Sequence, residues 1–409
     1  MPLLRGHLSP MVGRTMEFSF QLWLEYLIRF SHLVAGISWI GSSFYFIWLD
    51  SAFMPPEKPR HNVEGEVFMV HGGFYYQVDK KKIYPGELPK TLHWFKWEAT
   101  LTWITGFLLM IVLYYLKGAS LLIDPSLSPM TQPQAVLASV GILTGAWLIY
   151  DLIWHPEWMK NKTLSTILSV FFFTGLIFLN TQIFSGRGAF IQTGVIFGTM
   201  MILNVWVRIL PGQRKMLKEA EAGRVPDYSV GLKSKTRSVH NTYFIFPVLF
   251  VMLSNHYSGV TQHPYNWALL IILSIAGALT RHAMVTKKPV ERLTLIPAVI
   301  GLVALVWMTQ VNPSAITLTA DSSPVSTSEI HTLVHQKCIS CHAAQPTDDI
   351  FKIAPAGAVF ETEAQLLTYK EKIYQRVVIE KNMPFANKTG LSDEERARFA
   401  RWYLHLKKD

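Results

Sequence analysis

Long apolar runs alternate with short polar ones over the first three quarters of the chain. Stretches near 22–48, 98–116, 135–154, 163–180, 189–208, 242–258, 265–283 and 293–310 each approach the ~17–25 residues needed to cross a hydrocarbon core. They predict eight transmembrane helices. The fourth, from Thr163 to Asn180 with Phe171, Phe172 and Phe173, is uninterrupted, whereas the sixth carries Pro247 and Asn255. Met1 to Glu17 is polar, and the first apolar run is too long for a cleaved signal, so span one is expected to insert uncleaved.

The pattern changes after Met308. Asn312-Pro313-Ser314 and Ser322-Ser323-Pro324 read as an exposed linker, and from Ser326 onward apolar residues recur at helical spacing. The expected organisation is an integral membrane domain over 1–310, a linker over 311–325 and a small helical domain over 326–409. The expected fold class is all-α: a polytopic membrane helix bundle of about eight spans followed by that domain.

Composition agrees. Half the residues are hydrophobic, mean hydropathy is +0.23 and 16% are charged, against ~25% in a soluble chain. The apolar and aromatic content excludes disorder, and two cysteines are too few for a disulfide scaffold.

The net charge of +10 raises the question of nucleic acid, and its distribution answers it. Segments 49–97, 155–162, 208–241 and 281–292 hold 21 Lys and Arg, while 117–134, 181–188 and 259–264 hold only Lys117 and Arg187. The positive-inside rule assigns the first group to the cytoplasm, although 49–97 is long and counts for less. Both termini then face outward, toward a bacterial periplasm. From residue 312 onward, 12 Lys and Arg balance 12 Asp and Glu, so the excess belongs to the membrane part. Orientation and anionic lipid headgroups account for it, and a compact nucleic-acid-binding patch is absent.

Ser326 to Glu329 is a capping box opening a helix with Ile330, Leu333 and Val334 on one face, which runs into Cys338-Ile-Ser-Cys341-His342. This C-x-x-C-H pattern is that of c-type haem attachment. Two thiols a helical turn apart add to the haem vinyl groups, and the histidine binds the iron. A zinc site needs further ligands, and the chain has no third cysteine. A dithiol redox pair has no need of the adjacent histidine. Met383, in Lys381-Asn382-Met383-Pro384, lies beyond a helix expected near 363–378 and is the only methionine after Met308. It is the expected second axial ligand, a pairing that raises the iron potential. His331 and His335 flank the motif as solvated helix residues. A second capping box, Ser392 to Glu395, opens a last helix with Phe399, Trp402, Tyr403 and Leu406 on one face. The domain resembles class I cytochrome c.

Ionisable residues near the spans form two layers. Toward the cytoplasmic ends lie Asp50, His93, Glu98, Asp151, His155, His240, Asn241, Arg281 and His282, with His71 on the adjoining loop. Toward the outer ends lie Glu25, Arg29, His32, Asn255, His256 and His263. Any one of them can be a headgroup anchor. The inner set, beside Trp97, Trp154 and Tyr243, suits a pocket for a small, polar, planar molecule. His32, about ten residues into span one, is either an interhelical hydrogen-bonding residue or a ligand to a second, b-type haem.

The whole chain resembles the membrane-bound, cytochrome-c-linked urate oxidases (urate hydroxylases) of bacterial purine catabolism. The resemblance rests on Ala35-Gly-Ile-Ser-Trp39-Ile-Gly41 through Trp48-Leu-Asp50, and on His71-Gly-Gly73-Phe-Tyr. It continues in His93-Trp-Phe-Lys-Trp97-Glu98 and in Ser238-Val-His240-Asn241-x-Tyr243 through Ser254-Asn255-His256. It implies oxidation of urate to 5-hydroxyisourate in the bacterial inner membrane, with electrons passing to a covalent haem c. A soluble cytochrome or terminal oxidase would be the acceptor. Arg281 and His282 would then meet the urate anion, and Glu98, Asp151 or His240 would serve as base. The alternative is a non-catalytic conduit carrying electrons from quinol or a b-type haem to the cytochrome. A transporter lacks support, because neither an inverted repeat nor paired broken helices is visible.

Overall fold

The structure is a computed structural model that describes residues 20–116, 119, 121–125, 127–155, 161–310, 324–348, 351 and 353–407. Residues 1–19, which hold the polar Met1–Glu17 stretch, and most of the expected linker lie outside these residues. The part expected to span the membrane contains α1 (Phe20–Ala52), α2 (Trp97–Met110, continued by a π turn at Ile111–Tyr115), α3 (Gln132–Ile153), α4 (Lys162–Ile183) and α5 (Gly186–Leu203). A second π turn at Asn204–Ile209 leads into α6 (Leu210–Glu221), followed by α7 (Tyr228–Ser254), α8 (Ser258–Thr261), α9 (Asn266–Val285) and α10 (Leu295–Met308).

Local chemistry sets the helix starts. The Asn161 side chain accepts from Leu164 N at 3.1 Å, Ser185 Oγ from Gly188 N at 3.0 Å, and Asp227 Oδ1 from Ser229 N at 2.9 Å. Each satisfies a backbone donor that the first helical turn leaves free.

Among the described residues, seven helical stretches are long and apolar enough to cross a membrane. The expected sixth span, 242–258, falls largely on the last part of α7, which is not among the seven; the first half of that helix carries Lys233, Lys235 and Arg237. The expected fifth span is longer than anticipated, because helix continues through the π turn from Gly186 to Glu221. That helix is the centre of the bundle: 67% of its apolar stretch is buried, against 6% for α1.

The all-α expectation needs one correction. Residues 63–81 form an antiparallel hairpin, β1 (Val63–His71) and β2 (Phe74–Lys81), with His71 opposite Phe74. Gly72 and Gly73 turn the chain at φ of 61° and 83°, a conformation open to glycine at little cost. Charge holds the base, where Arg60 bridges Glu66 and Asp79 and Lys80 pairs with Asp50. The hairpin lies back along α1, with Tyr45 Oη 3.7 Å from Met69 Sδ.

The Lys/Arg-rich connections meet at one end of the bundle. Tyr228 Oη donates to Ile83 O at 2.7 Å, and Lys235 pairs with Asp50 at 3.2 Å. The Lys/Arg-poor connections meet at the other, where Ser185 donates to Leu122 O through its backbone and to Leu121 O through its hydroxyl.

The C-terminal residues build a second core. α11 (Thr327–Lys337) and α14 (Asp393–Leu406) start at the two capping boxes. Ile330, Leu333, Val334, Phe399 and Trp402 bury one face of each. The helix expected near 363–378 is broken into α12 (Glu363–Thr368), α13 (Lys370–Ile373) and a π turn at Tyr374–Ile379. This unit rests on the Lys/Arg-poor end: Phe385 packs on the membrane core, with the Arg187 guanidinium 4.6 Å from its ring.

Candidate functional site

Four of the five candidate catalytic residues gather at the Lys/Arg-rich end, on α3, α7 and α9. His240 on α7 is the hub. Its Nδ1 lies 2.9 Å from Tyr150 Oη, and its ring meets the Trp154 ring edge-on at 4.1 Å. Asn204, first residue of the second π turn, donates from Nδ2 to Tyr150 Oη at 3.0 Å and to Asn241 Oδ1 at 2.8 Å. Asn241 in turn donates to the Met201 carbonyl at 2.9 Å. A π turn offsets the helix by one residue, a device frequent at functional sites, and here it carries a fully buried amide.

Arginines surround this hub. Arg237 donates to Asp151 Oδ1 at 2.8 Å and to Trp154 O at 3.2 Å. Arg208 donates from Nε to the same carboxylate at 2.9 Å and makes a second contact to Asp151 Oδ2. Arg281 lies over the Tyr243 ring at 4.1 Å, and Tyr243 Oη is 2.7 Å from His282 Nδ1. His282 Nε2 stands 3.7 Å from Glu291. The positive charges of both Arg237 and Arg281 act on His240.

The candidates separate by what they have left to offer. Asp151 is engaged by two guanidinium groups, which makes it an anchor for Arg208 and Arg237. Arg281 Nε, Arg237 Nη1 and Asn204 Oδ1 are buried without a hydrogen-bond partner among the described residues. Buried polar atoms are rarely left so, and the two guanidinium groups lie beside the Tyr150 and Tyr243 rings, at 4.9 and 4.1 Å. Glu98 sits in the first turn of α2, with Oε2 buried and unpartnered and Oε1 4.0 Å from His93. His71 is exposed at the end of β1. Tyr150, Asn204, Arg208 and Arg237 were not singled out from the sequence; the available signal was polar residues flanked by apolar ones in Leu203-Asn-Val-Trp-Val-Arg208.

The outer layer differs. Arg187 donates to the Asn255 carbonyl, and Tyr114 Oη donates to Asn255 Oδ1 at 3.3 Å. His32 lies between helices: Nδ1 is 3.0 Å from Thr102 O and 3.1 Å from Thr105 Oγ1. Its ring fills the space beside Gly106, where a Cβ would come within 2.8 Å of Cε1.

In the C-terminal unit, Cys338 caps α11, and Cys341 and His342 follow in a tight turn, with His342 N donating to Cys338 O at 3.0 Å. His342 Nδ1 donates to the Ala358 carbonyl at 2.8 Å, which leaves Nε2 as the lone-pair nitrogen. A carbonyl on the second nitrogen is the usual device for fixing a metal-binding imidazole. Phe360 stacks on the ring at 4.5 Å, and burial pulls its pKa down, keeping the neutral form. Burial also pushes the Cys338 thiol up to about 12 and the Cys341 thiol upward. Both cysteines are free. Met383 and Cys338 pack on the same core. Two thiols outside any disulfide, an oriented imidazole and a thioether, with Cys338 and Met383 on one core, fit the donor set of a c-type haem.

Among the described residues, no group of three His, Cys, Asp or Glu is placed to hold a bare metal ion. In comparison with known proteins, the family described as urate oxidase N-terminal matches residues 19–311. No curated protein and no solved structure matches the chain.

Proposed function

The chain belongs to the urate oxidase N-terminal family, and from that premise we propose that it oxidises urate to 5-hydroxyisourate in a membrane, with the electrons leaving through a covalent haem c. The family match over the membrane part carries the urate reading. The cluster around His240 supports it, because urate is a planar monoanion and the cluster offers unpartnered guanidinium donors between aromatic faces.

The reaction balances as urate monoanion plus water giving 5-hydroxyisourate, one proton and two electrons. Arg281 and Arg237 hold the negative charge. Trp154 and Tyr243 offer flat surfaces to the purine. Glu98 keeps a free carboxylate oxygen on the same layer for the proton. Cys338 and Cys341 would hold the haem by thioether bonds, and His342 Nε2 and Met383 would bind its iron; once bound, the haem would supply one-electron acceptance. His32 Nδ1 meets Thr102 O between α1 and α2, the arrangement that also orients His342, so its Nε2 stays open to a second, b-type haem; the proposal itself needs only the c-type haem.

The proposed topology has eight spans in the bacterial inner membrane, α7 supplying the sixth, with the cytochrome unit in the periplasm. That unit rests on the Lys/Arg-poor end, the end the positive-inside rule sends outward. A soluble cytochrome or a terminal oxidase would take the electrons on. Anaerobic addition of urate to the purified protein should reduce the haem c band; an unchanged spectrum would contradict the reading.

A further inference from the structure

The hydrogen bonds that end on His240 have a direction. The Met201 carbonyl can only accept, so Asn241 meets it with Nδ2, at 2.9 Å. That turns Asn241 Oδ1 toward Asn204, whose Nδ2 donates to it at 2.8 Å. The other hydrogen of the same Nδ2 points at Tyr150 Oη, 3.0 Å away. The Tyr150 oxygen is thus an acceptor on that side, and the neighbouring Arg237 guanidinium, 4.9 Å from the ring centre, is a group with donors only. The single Tyr150 proton has one acceptor to go to, His240 Nδ1 at 2.9 Å. Asn204 and Tyr150 are 0% and 1% exposed, so solvent offers no alternative course. A ring nitrogen that accepts carries no hydrogen, and neutral imidazole then holds its proton on the other nitrogen.

We infer that this relay fixes His240 with its proton on Nε2, so that His240 meets the substrate as a hydrogen-bond donor and not as a base. Tyr150, Asn204 and Asn241 are the positioning residues that set the tautomer. The inference rests on the urate reading for the identity of the ligand, but the tautomer stands apart from it. With His240, Arg237 and Arg281 all presenting N–H groups, the cluster selects an ionised oxopurine over a neutral one. Removal of the substrate proton falls to another group.

The tautomer can be read without substrate, by ¹⁵N spectroscopy of histidine-labelled, haem-loaded, full-length protein. The difference between wild type and His240→Gln, or His240→Asn should the first fold poorly, isolates the His240 signals. We expect a bare Nδ1 and a protonated Nε2, and loss of that pure form in Tyr150→Phe; a protonated Nδ1 in the wild type would overturn the relay. Steady-state urate consumption gives the second readout. Gln places an amide N–H near the Nε2 position, so His240→Gln should lose no more than about tenfold in kcat, the scale of one perturbed hydrogen bond. A fall of about 10²–10⁴, the usual contribution of a general base, would overturn the donor role. In the His240→Gln background, Tyr150→Phe should add little to KM, although alone it raises KM about tenfold, because coupled residues do not add; additive effects would show a merely structural tyrosine. Failure of urate to reduce the wild-type haem would count against the substrate and leave the spectroscopic result standing.

Discussion

The middle of α7 and its C-terminal end hold polar groups in opposite conditions. At Asn255 the carbonyl accepts from Arg187, the side-chain oxygen accepts from Tyr114, and Arg187 also faces Phe385 of the C-terminal unit. At His240, some 15 residues and hence about 22 Å away along the helix, a comparable set of groups leaves two guanidinium nitrogens and an amide oxygen unpartnered. A satisfied buried network holds parts together, and an unsatisfied one is costly unless something arrives to complete it. Under the proposed function, substrate binding would fall at the His240 end of the bundle and docking of the C-terminal unit at the Asn255 end, with electrons crossing between them.

The largest effect should come from removing the electron outlet. Cys338→Ala or Cys341→Ala should abolish covalent haem, checked by haem staining of denatured protein, and with it all urate-dependent reduction. Covalent haem retained in either variant would break the assignment. Met383→Ala should keep covalent haem but lower its potential, since thioether ligation raises it; an unchanged redox titration would point to another ligand.

Arg281→Ala comes next and tests the His240 end. Loss of a buried charged donor costs about 1.5–3 kcal/mol, so KM for urate should rise about ten- to a hundredfold with haem content unchanged. An unchanged KM would remove the substrate from this end of the bundle. Phe385→Ala tests the other end. It removes a cation–π contact of about 0.5–2 kcal/mol, and should slow haem reduction by about two- to thirtyfold while KM stays the same; a raised KM would mean that the two ends are not separate in role. The smallest effect is expected of Ser392→Ala, whose lost cap on α14 costs about 1 kcal/mol. It should lower the thermal midpoint of the C-terminal unit and leave urate kinetics alone. A pyridine haemochrome count should find c-type haem; b-type haem beside it, lost in His32→Ala, would put a ligand on His32 Nε2 and supply a carrier for the 22 Å.

What could be read from the sequence was what is local along the chain. Apolar runs, the capping boxes at Ser326 and Ser392, and the Cys338–His342 spacing depend on neighbours a few residues apart. The hairpin was also local, with two glycines between His71 and Phe74 flanked by β-formers, a two-residue turn signal; it went unread inside a segment taken as a connecting loop. The relay on His240 was not legible. Tyr150, Asn204 and Asn241 lie on different segments, and which faces of α3, α5 and α7 meet is decided by helix register across the bundle. The same holds for Asp151, a candidate base until Arg208 and Arg237 are seen to share it.

The most direct measurement is the spectrum of the haem c band in purified, full-length protein on anaerobic addition of urate. The account predicts reduction of the haem with urate consumed at one molecule per two electrons, abolished without covalent haem and shifted to higher urate concentration in Arg281→Ala. A haem that stays oxidised with urate present, while a chemical reductant still reduces it, would contradict it.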